Sequence, residues 1–252
     1  MPTPPVITWQ RQAGGSLQPY SPLFADIYRS SGADGQGGLA QARHAFLMGC
    51  GLLAGDIAPA PLWQHHAQWH ILETGFGLGL NFLAAWQTWE QNPQRPETLL
   101  FSSIEAHPVS AADISLGAVD FPTLAPYADA LAAAWQPQAG SNVWTFAPLQ
   151  GQGQIQLHLY VGDVLDMLPH IAAPADSVFL DGFNPKTNAA MWSAACMQAI
   201  AQRSRAGTRL ASWTAAASVR DNLSAAGFSV GKRAGLPPKR HSLYAVFPAT
   251  HF

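Results

Sequence analysis

ILETGFGLGLNFLAAW, residues 71–86, places an acid, Glu73, and three alternate glycines, Gly75, Gly77 and Gly79, between two apolar runs. The first run has the length of a strand and the second that of a helix. Glycine lacks a Cβ, so the loop between them can turn sharply and lie close against a ligand. The stretch therefore reads as strand, tight loop, helix, the opening unit of a parallel sheet covered on both faces.

Working outward, the same alternation continues to the C-terminus. Strands are expected at WHILET (69–74), LLFSSIEA (99–106), IQLHLYVG (155–162), SVFLDGF (177–183) and RLASWT (209–214). Helices fit GLNFLAAWQTWEQ (79–91), the segment after Pro108, TLAPYADALAAAW (123–135), AAMWSAACMQAIAQRS (189–204) and AASVRDNLSAAG (216–227). NVWTFAPLQGQGQIQLHLYV (142–161) reads as two strands around a Gly-rich turn. FSVGKRAGLPPKRHSLYAVF (228–247) reads as strand, basic Pro-containing loop and strand, an antiparallel hairpin that ends the sheet. Residues 1–70 read as irregular, with one helix near LAQARHAFLMGCGLL (39–53). The expected organisation is an N-terminal extension, 1–68, packed on a Rossmann-like domain, 69–252.

The chain has 252 residues, 48% apolar and 11% charged, which excludes a disordered protein and allows a substantial core. MPTPPVITWQ shows no basic region followed by an apolar one, and AFLMGCGLLAG is too short to cross a bilayer. A cytoplasmic protein with no membrane partner is expected. Cys50 and Cys196 are too few for a disulfide framework or a thiolate metal site and are expected to be buried thiols. HHAQWH sets His66 and His70 one helical turn apart without the glutamate of a zincin, so no metal is expected. Charge is unevenly spread. Residues 182–252 hold nine of the thirteen Lys and Arg and a single acid, a surplus of +8, whereas residues 1–181 carry −10. A basic end on an acidic body suits a polyanionic partner, though an ordinary solvated surface would look the same in sequence.

Four expected strands end on an acid: Glu73, Glu105, Asp163 and Asp181. Helix capping explains one or two of these, but not four in succession. Ligands of open α/β sheets bind at these carboxyl ends. Gly75, Gly77 and Gly79 would bring bare backbone against such a ligand, Glu105 suits a ribose diol, and Asp163 is placed for an adenine. A pyrophosphate would be repelled by Glu73, whereas S-adenosylmethionine carries an ammonium and a sulfonium that an acid favours. The pattern therefore supports a class I S-adenosylmethionine-dependent methyltransferase, with a mostly parallel, doubly wound sheet.

ETGFGLGLNFLAAWQ, FLDGFNPKTNAAMW, LSAAGFSV and PKRHSLY, in this order, resemble the tRNA wobble-uridine methyltransferase family called MnmD, which also forms the methyltransferase half of the bifunctional MnmC enzymes. The similarity runs from FADIY at residue 24 to AVF at 247. It implies methyl transfer from S-adenosylmethionine to the 5-aminomethyl group of a modified uridine, 5-aminomethyl-2-thiouridine, in the tRNA anticodon loop. A flavin oxidase, separate or fused, would first uncover that amine; no second dinucleotide fingerprint, and so no FAD, is expected in this chain. The resemblance further implies cofactor contacts at Phe76 and Asn81 and a substrate contact at Tyr28. The chain departs from the family where Ala40 and Gln41 stand in place of a pair of acids, and at Trp213 in ASWTAAASVRDNL.

An alkylamine attacks only as the free base, so the site must favour that form and align it with the donor. Asp181 is the candidate to orient the nitrogen and, second, to relay its proton. Phe183 and Trp192 are candidates to stack on the uracil ring, with plain core packing as the alternative. Lys186, Lys232, Arg233, Lys239 and Arg240 are candidate phosphate contacts that would position tRNA without reading bases. The rival readings are a methyltransferase for another amine (small molecule or protein), an NAD-dependent dehydrogenase, for which no acid/base pair is evident, and a non-catalytic RNA-binding module. The four intact acids argue against the last.

Overall fold

The computed structural model describes residues 2–30 and 37–249. Its first elements lie in the segment expected to be irregular: β1 (Thr8–Arg11), β2 (Leu17–Ser21) and β3 (Asp26–Ile27) form a small antiparallel sheet. Long-range bonds order it. Arg29 pairs with Asp120 at 2.9 Å, Leu17 N donates to the same carboxylate at 3.0 Å, and Trp9 Nε1 donates to Asp113 at 3.3 Å. These partners lie about a hundred positions away, so no local pattern could announce the sheet. The helix expected over 39–53 is α1 (Gly37–Gln41), which runs directly into a π-helical stretch, Ala42–Met48.

The alternating elements then follow: β4 (Gln68–Glu73), α2 (Leu80–Glu90), β5 (Thr98–Glu105), α3 (Ala111–Ala118), α4 (Ala125–Ala134), β6 (Gly140–Phe146), β7 (Gln154–Val161), α5 (Val164–Met167), β8 (Ala175–Phe179), α6 (Ala194–Ala201), β9 (Ser204–Ser212), α7 (Ala217–Ala225), β10 (Ser229–Ala234) and β11 (His241–Val246). The sheet order is β10-β11-β9-β8-β4-β5-β7-β6. The central strands from β9 to β7 run parallel, and β6 closes one edge antiparallel to β7. The expected C-terminal hairpin forms, but its last strand does not lie at the edge. β11 slots between β9 and β10, antiparallel to both. The single helix expected over 189–204 is broken: Ser193, whose hydroxyl accepts from Cys196 N, starts α6 after a short 3-10 turn over Ala189–Trp192.

Neighbouring residues of a strand face opposite sides of the sheet, and here both sides are apolar. Ile71, Phe101 and Phe179 join a core with Phe46, Leu47, Trp63, Phe82 and Trp86. Leu72, Ile104 and Val178 join a second core with Val164, Met197, Ile200 and Leu223. Each such side chain removed from water contributes about 1.5–3 kcal/mol. The near-continuous apolar strands therefore demand cover on both faces. On the first face α2 is buried around most of its circumference, because α1 and the π-helical stretch pack on its outer side. Its buried Gln87 is paired: Nε2 donates to Thr123 O at 2.7 Å, and its own oxygen accepts from Arg43 Nη2 at 2.7 Å. The N-terminal segment thus shares the core of the sheet. Among the described residues no helix is long and apolar enough to cross a membrane.

The strand order reverses at β4, with β5 on one side and β8 on the other. That switch point is where the carboxyl ends of the strands leave a crevice.

Candidate functional site

A cavity of about 310 Å³ opens at the switch point. Its floor and walls come from the loop after β4 (Gly75, Phe76, Gly77), the end of β5 (Glu105), the loop after β7 (Asp163) and the end of β8 (Asp181). Gly77 and Gly79 hold φ values of 53° and 76°, the left-handed region that side chains disfavour, so the loop can turn only with glycine there. A Cβ at Gly77 would project into the cavity and meet only the Tyr28 ring, at 3.5 Å, among the described residues. Gly79 stands at the N-cap of α2, behind the loop and outside the lining. Phe76 is anchored by stacking on Trp135, ring centroids 5.1 Å apart.

The four acids take different environments. Glu105 is fixed by two backbone amides, Gly77 N and His107 N, each at 2.8 Å. Asp163 caps α5 through Leu165 N at 2.9 Å. Both line the cavity. Asp181 accepts from Gly182 N and from the Asn81 amide, each at 2.8 Å. Burial pushes its carboxyl up to about 6, against the pull of those donors and of the Lys239 ammonium.

Glu73 departs from expectation. It lies beneath the loop instead of lining the cavity, fully buried, with Asn81 Nδ2 at 2.9 Å and Ser103 Oγ at 2.7 Å. Burial pushes its carboxyl up to about 8, and the nearby Asp181 adds to the rise. It therefore keeps its proton at neutral pH and offers no negative charge to a cationic ligand. Its contact with the cavity runs through Asn81, whose one amide group donates to both Glu73 and Asp181.

The N-terminal segment roofs the cavity. Phe183 stacks on Phe24 at 4.5 Å and meets Tyr28 edge-on at 5.0 Å, and Asp26 accepts from Asn184 N at 2.8 Å. Trp192 is not a stacking surface for a ligand. Only 3% exposed, it donates its indole N–H to Phe183 O at 2.8 Å and packs edge-on against Trp213.

Beside this cavity lies a second, of about 210 Å³, lined among others by Gln41, His44, Trp213, Pro237, Pro238 and Lys239. Gln41 lines both. Ala40, Gln41 and Trp213, the positions at which the sequence departs from the family it resembles, all border this second cavity. Trp213 lies just past the end of β9, a strand end like the four that carry acids, and that placement is the signal that could have singled it out. Nothing local in the sequence marks Phe24 or His44.

The five basic candidates separate. Arg233 is a correction: 6% exposed, it grips Asp56 with Nη2 at 2.5 Å and Nε at 3.1 Å and donates to His44 O, so it ties β10 to the N-terminal segment and has no face left for a phosphate. Lys239 is exposed as well, but its ammonium lies 3.6 Å from the centroid of the Trp213 ring. Lys186, Lys232 and Arg240 are exposed, without ion pairs among the described residues. Among the described residues no group of three or more His, Cys, Asp and Glu is arranged to hold a metal ion. Cys50 and Cys196 are buried free thiols.

The family model of S-adenosyl-L-methionine-dependent methyltransferases matches residues 123–248. A protein of Delftia acidovorans, named tRNA 5-methylaminomethyl-2-thiouridine biosynthesis bifunctional protein MnmC, is 46% identical over 230 residues, covering 91% of this chain and 33% of that protein. A protein of the same name from Polaromonas naphthalenivorans is 47% identical over 241 residues, covering 93% of this chain and 34% of that protein. The chain thus spans about a third of the length of these curated relatives. The crystal structure of MnmC2 from Aquifex aeolicus superimposes with a TM-score of 0.74 at 21% identity, over 98% of this chain and 72% of that one, and shares its fold.

Proposed function

Because the chain belongs to the S-adenosyl-L-methionine-dependent methyltransferase family, we propose that it methylates the 5-aminomethyl group of a modified wobble uridine, 5-aminomethyl-2-thiouridine, in tRNA. The observation that carries this reading is the junction of the two cavities: Gln41 lines both, and Asp181 of the first faces Lys239 of the second. A donor and an acceptor can then meet over one carboxylate. The names of the relatives support the substrate class.

The first cavity suits the donor. It pairs bare backbone at Gly75 and Gly77 with the carboxylates of Glu105, for a ribose diol, and Asp163, for an adenine edge. When bound, S-adenosyl-L-methionine supplies a methyl group on a positively charged sulfur. The chain's own part is alignment: Asn81 and Gly182 N hold Asp181 in one position, and Asp181 in turn accepts from the acceptor nitrogen. Attack by a free amine on such a methyl group needs neither a metal nor a flavin. A flavin oxidase, fused or separate, would supply the aminomethyl group. Residues 1–68 then act as an extension that roofs the site of a 69–252 methyltransferase domain, working on tRNA in the cytoplasm.

Incubating the protein with methyl-labelled S-adenosyl-L-methionine and tRNA carrying 5-aminomethyl-2-thiouridine should place the label in the 5-methylaminomethyl nucleoside. Label in a small amine or a protein, and none in tRNA, would replace this reading.

The exposure of Lys186, Lys232 and Arg240 supports a role for them in meeting the tRNA backbone. Phosphate contacts act by counterion release, which is independent of sequence and steeply dependent on salt. The double variant Lys232→Ala/Arg240→Ala should weaken binding of every tRNA alike. The slope of log affinity against log salt should become shallower by up to about 1.4–1.8. Donor affinity should not change. A slope equal to the parent's would make the basic end a solvated surface.

A further inference from the structure

Among the exposed basic candidates, Lys239 alone has its ammonium on an aromatic ring. Its ammonium lies on the face of Trp213, the wall of the second cavity, and among the described residues that cavity's lining contains no carboxylate. Resting on the proposed reading, we propose that the second cavity receives the acceptor base and that the Lys239 ammonium, held on Trp213, disfavours a second cation beside it, so that the aminomethyl group is presented as the free amine.

An alkylamine in water near neutrality is mostly protonated and has no lone pair to offer. Asp181 alone would worsen this, because a carboxylate beside an ammonium stabilises the charged form. A like charge a few ångströms away in a partly desolvated pocket acts in the opposite sense, as in other sites that free an amine by placing a cation next to it. Lys239 can keep its own proton in this role. Burial works against its charge, but Asp181 and Asp26 face it and favour the ammonium, and the Trp213 ring supplies a cation–π contact. The other titratable groups nearby, among the described residues, do not compete. His44, in the same lining, has Nε2 2.8 Å from Ala234 O, Arg233 is spent on Asp56, Glu73 is neutral behind Asp181, and Arg240 and His241 point to solvent.

The step balances as follows. The lone pair of the free amine forms the N–C bond, the C–S bond breaks with its pair going to sulfur, and the sulfonium becomes a thioether. The nitrogen, now cationic, releases its proton to the Asp181 carboxylate or to water. Lys239 opposes the charge that grows on nitrogen, but only part of that charge exists in the transition state. The gain in free-amine population therefore exceeds the loss in nucleophilicity.

The test is the pH dependence of single-turnover methyl transfer to saturating tRNA for the parent, Lys239→Met and Lys239→Arg. Lys239→Met should move the acidic limb upward by about one unit. It should be about tenfold slower than the parent at neutral pH and should approach the parent rate in alkali. Lys239→Arg, which keeps a cation on the ring, should follow the parent. A Lys239→Met limb at the parental pH would return Lys239 to a phosphate or structural role. A limb displaced equally in Lys239→Arg would mean that the lysine exchanges its own proton, against the proposal. A parent inactive on tRNA removes the functional reading and this inference with it, whereas an active parent with an unmoved Lys239→Met limb removes this inference alone.

Discussion

Asp181→Ala is expected to slow methyl transfer by about 10²–10⁴, the range for a positioned proton-handling group, while S-adenosyl-L-methionine affinity stays within a few-fold of the parent. The carboxylate sits two residues past the end of β8, held by Gly182 N and Asn81, so its direction is set by backbone and by α2 and not by a mobile side chain. Its backbone N–H and C=O both engage Thr74 Oγ1, at 3.1 and 2.8 Å, and these bonds survive the substitution. The loss therefore falls on the chemical step. Calorimetry for donor affinity and rapid quench for single turnover separate the two effects. A variant as fast as the parent would reduce Asp181 to a structural acid.

Glu73→Gln should change the pH dependence of stability. The Glu73 carboxyl is raised from its ordinary value of 4.5 to about 8 in the folded protein, chiefly by burial. Between those values the folded state holds a proton that the unfolded state has lost, so folding stability falls as pH rises. The contribution is present in full below about 4.5 and is lost as pH climbs through about 8, at close to 1.4 kcal/mol per unit. Glutamine copies the protonated acid: its oxygen can accept from Asn81 and its amide can donate to Ser103. The variant should match the parent near pH 5 and exceed it by a few kcal/mol near pH 9. Denaturant unfolding at both values checks this. Parallel stability curves would mean that Glu73 is ionised in the folded protein.

Much of the fold was legible because its signals are local. Strand length, helix length and the glycines of residues 75–79 are properties of adjacent residues, and β4, β5, β7, β8, β9 and the helices α2, α3 and α4 lie where the pattern put them. The acids at the strand ends could be found the same way, since a strand's carboxyl end in a parallel sheet points at the crevice whatever else the chain does. The roles within the site were not legible. Glu73 and Glu105 both end a strand, but Glu73 lies under α2 and is neutral, whereas Glu105 meets two amides at the cavity wall. Composition put Arg233 and Lys239 in one basic run. Asp56 and Trp213, distant in sequence, take them out of it in different directions.

The small N-terminal sheet, the roof of Phe24 and Tyr28 and the second cavity belong to the same category. They exist because residues about 90 to 200 positions apart meet, as in Arg29 with Asp120 and His44 with Ala234. The parallel sheet, its switch point and the acids near it can be read from the chain alone, because backbone geometry and hydrophobic periodicity act over a few residues. Which acid keeps its proton, which cation is held and where an acceptor could enter are fixed by folding, because burial and charge depend on what packs alongside.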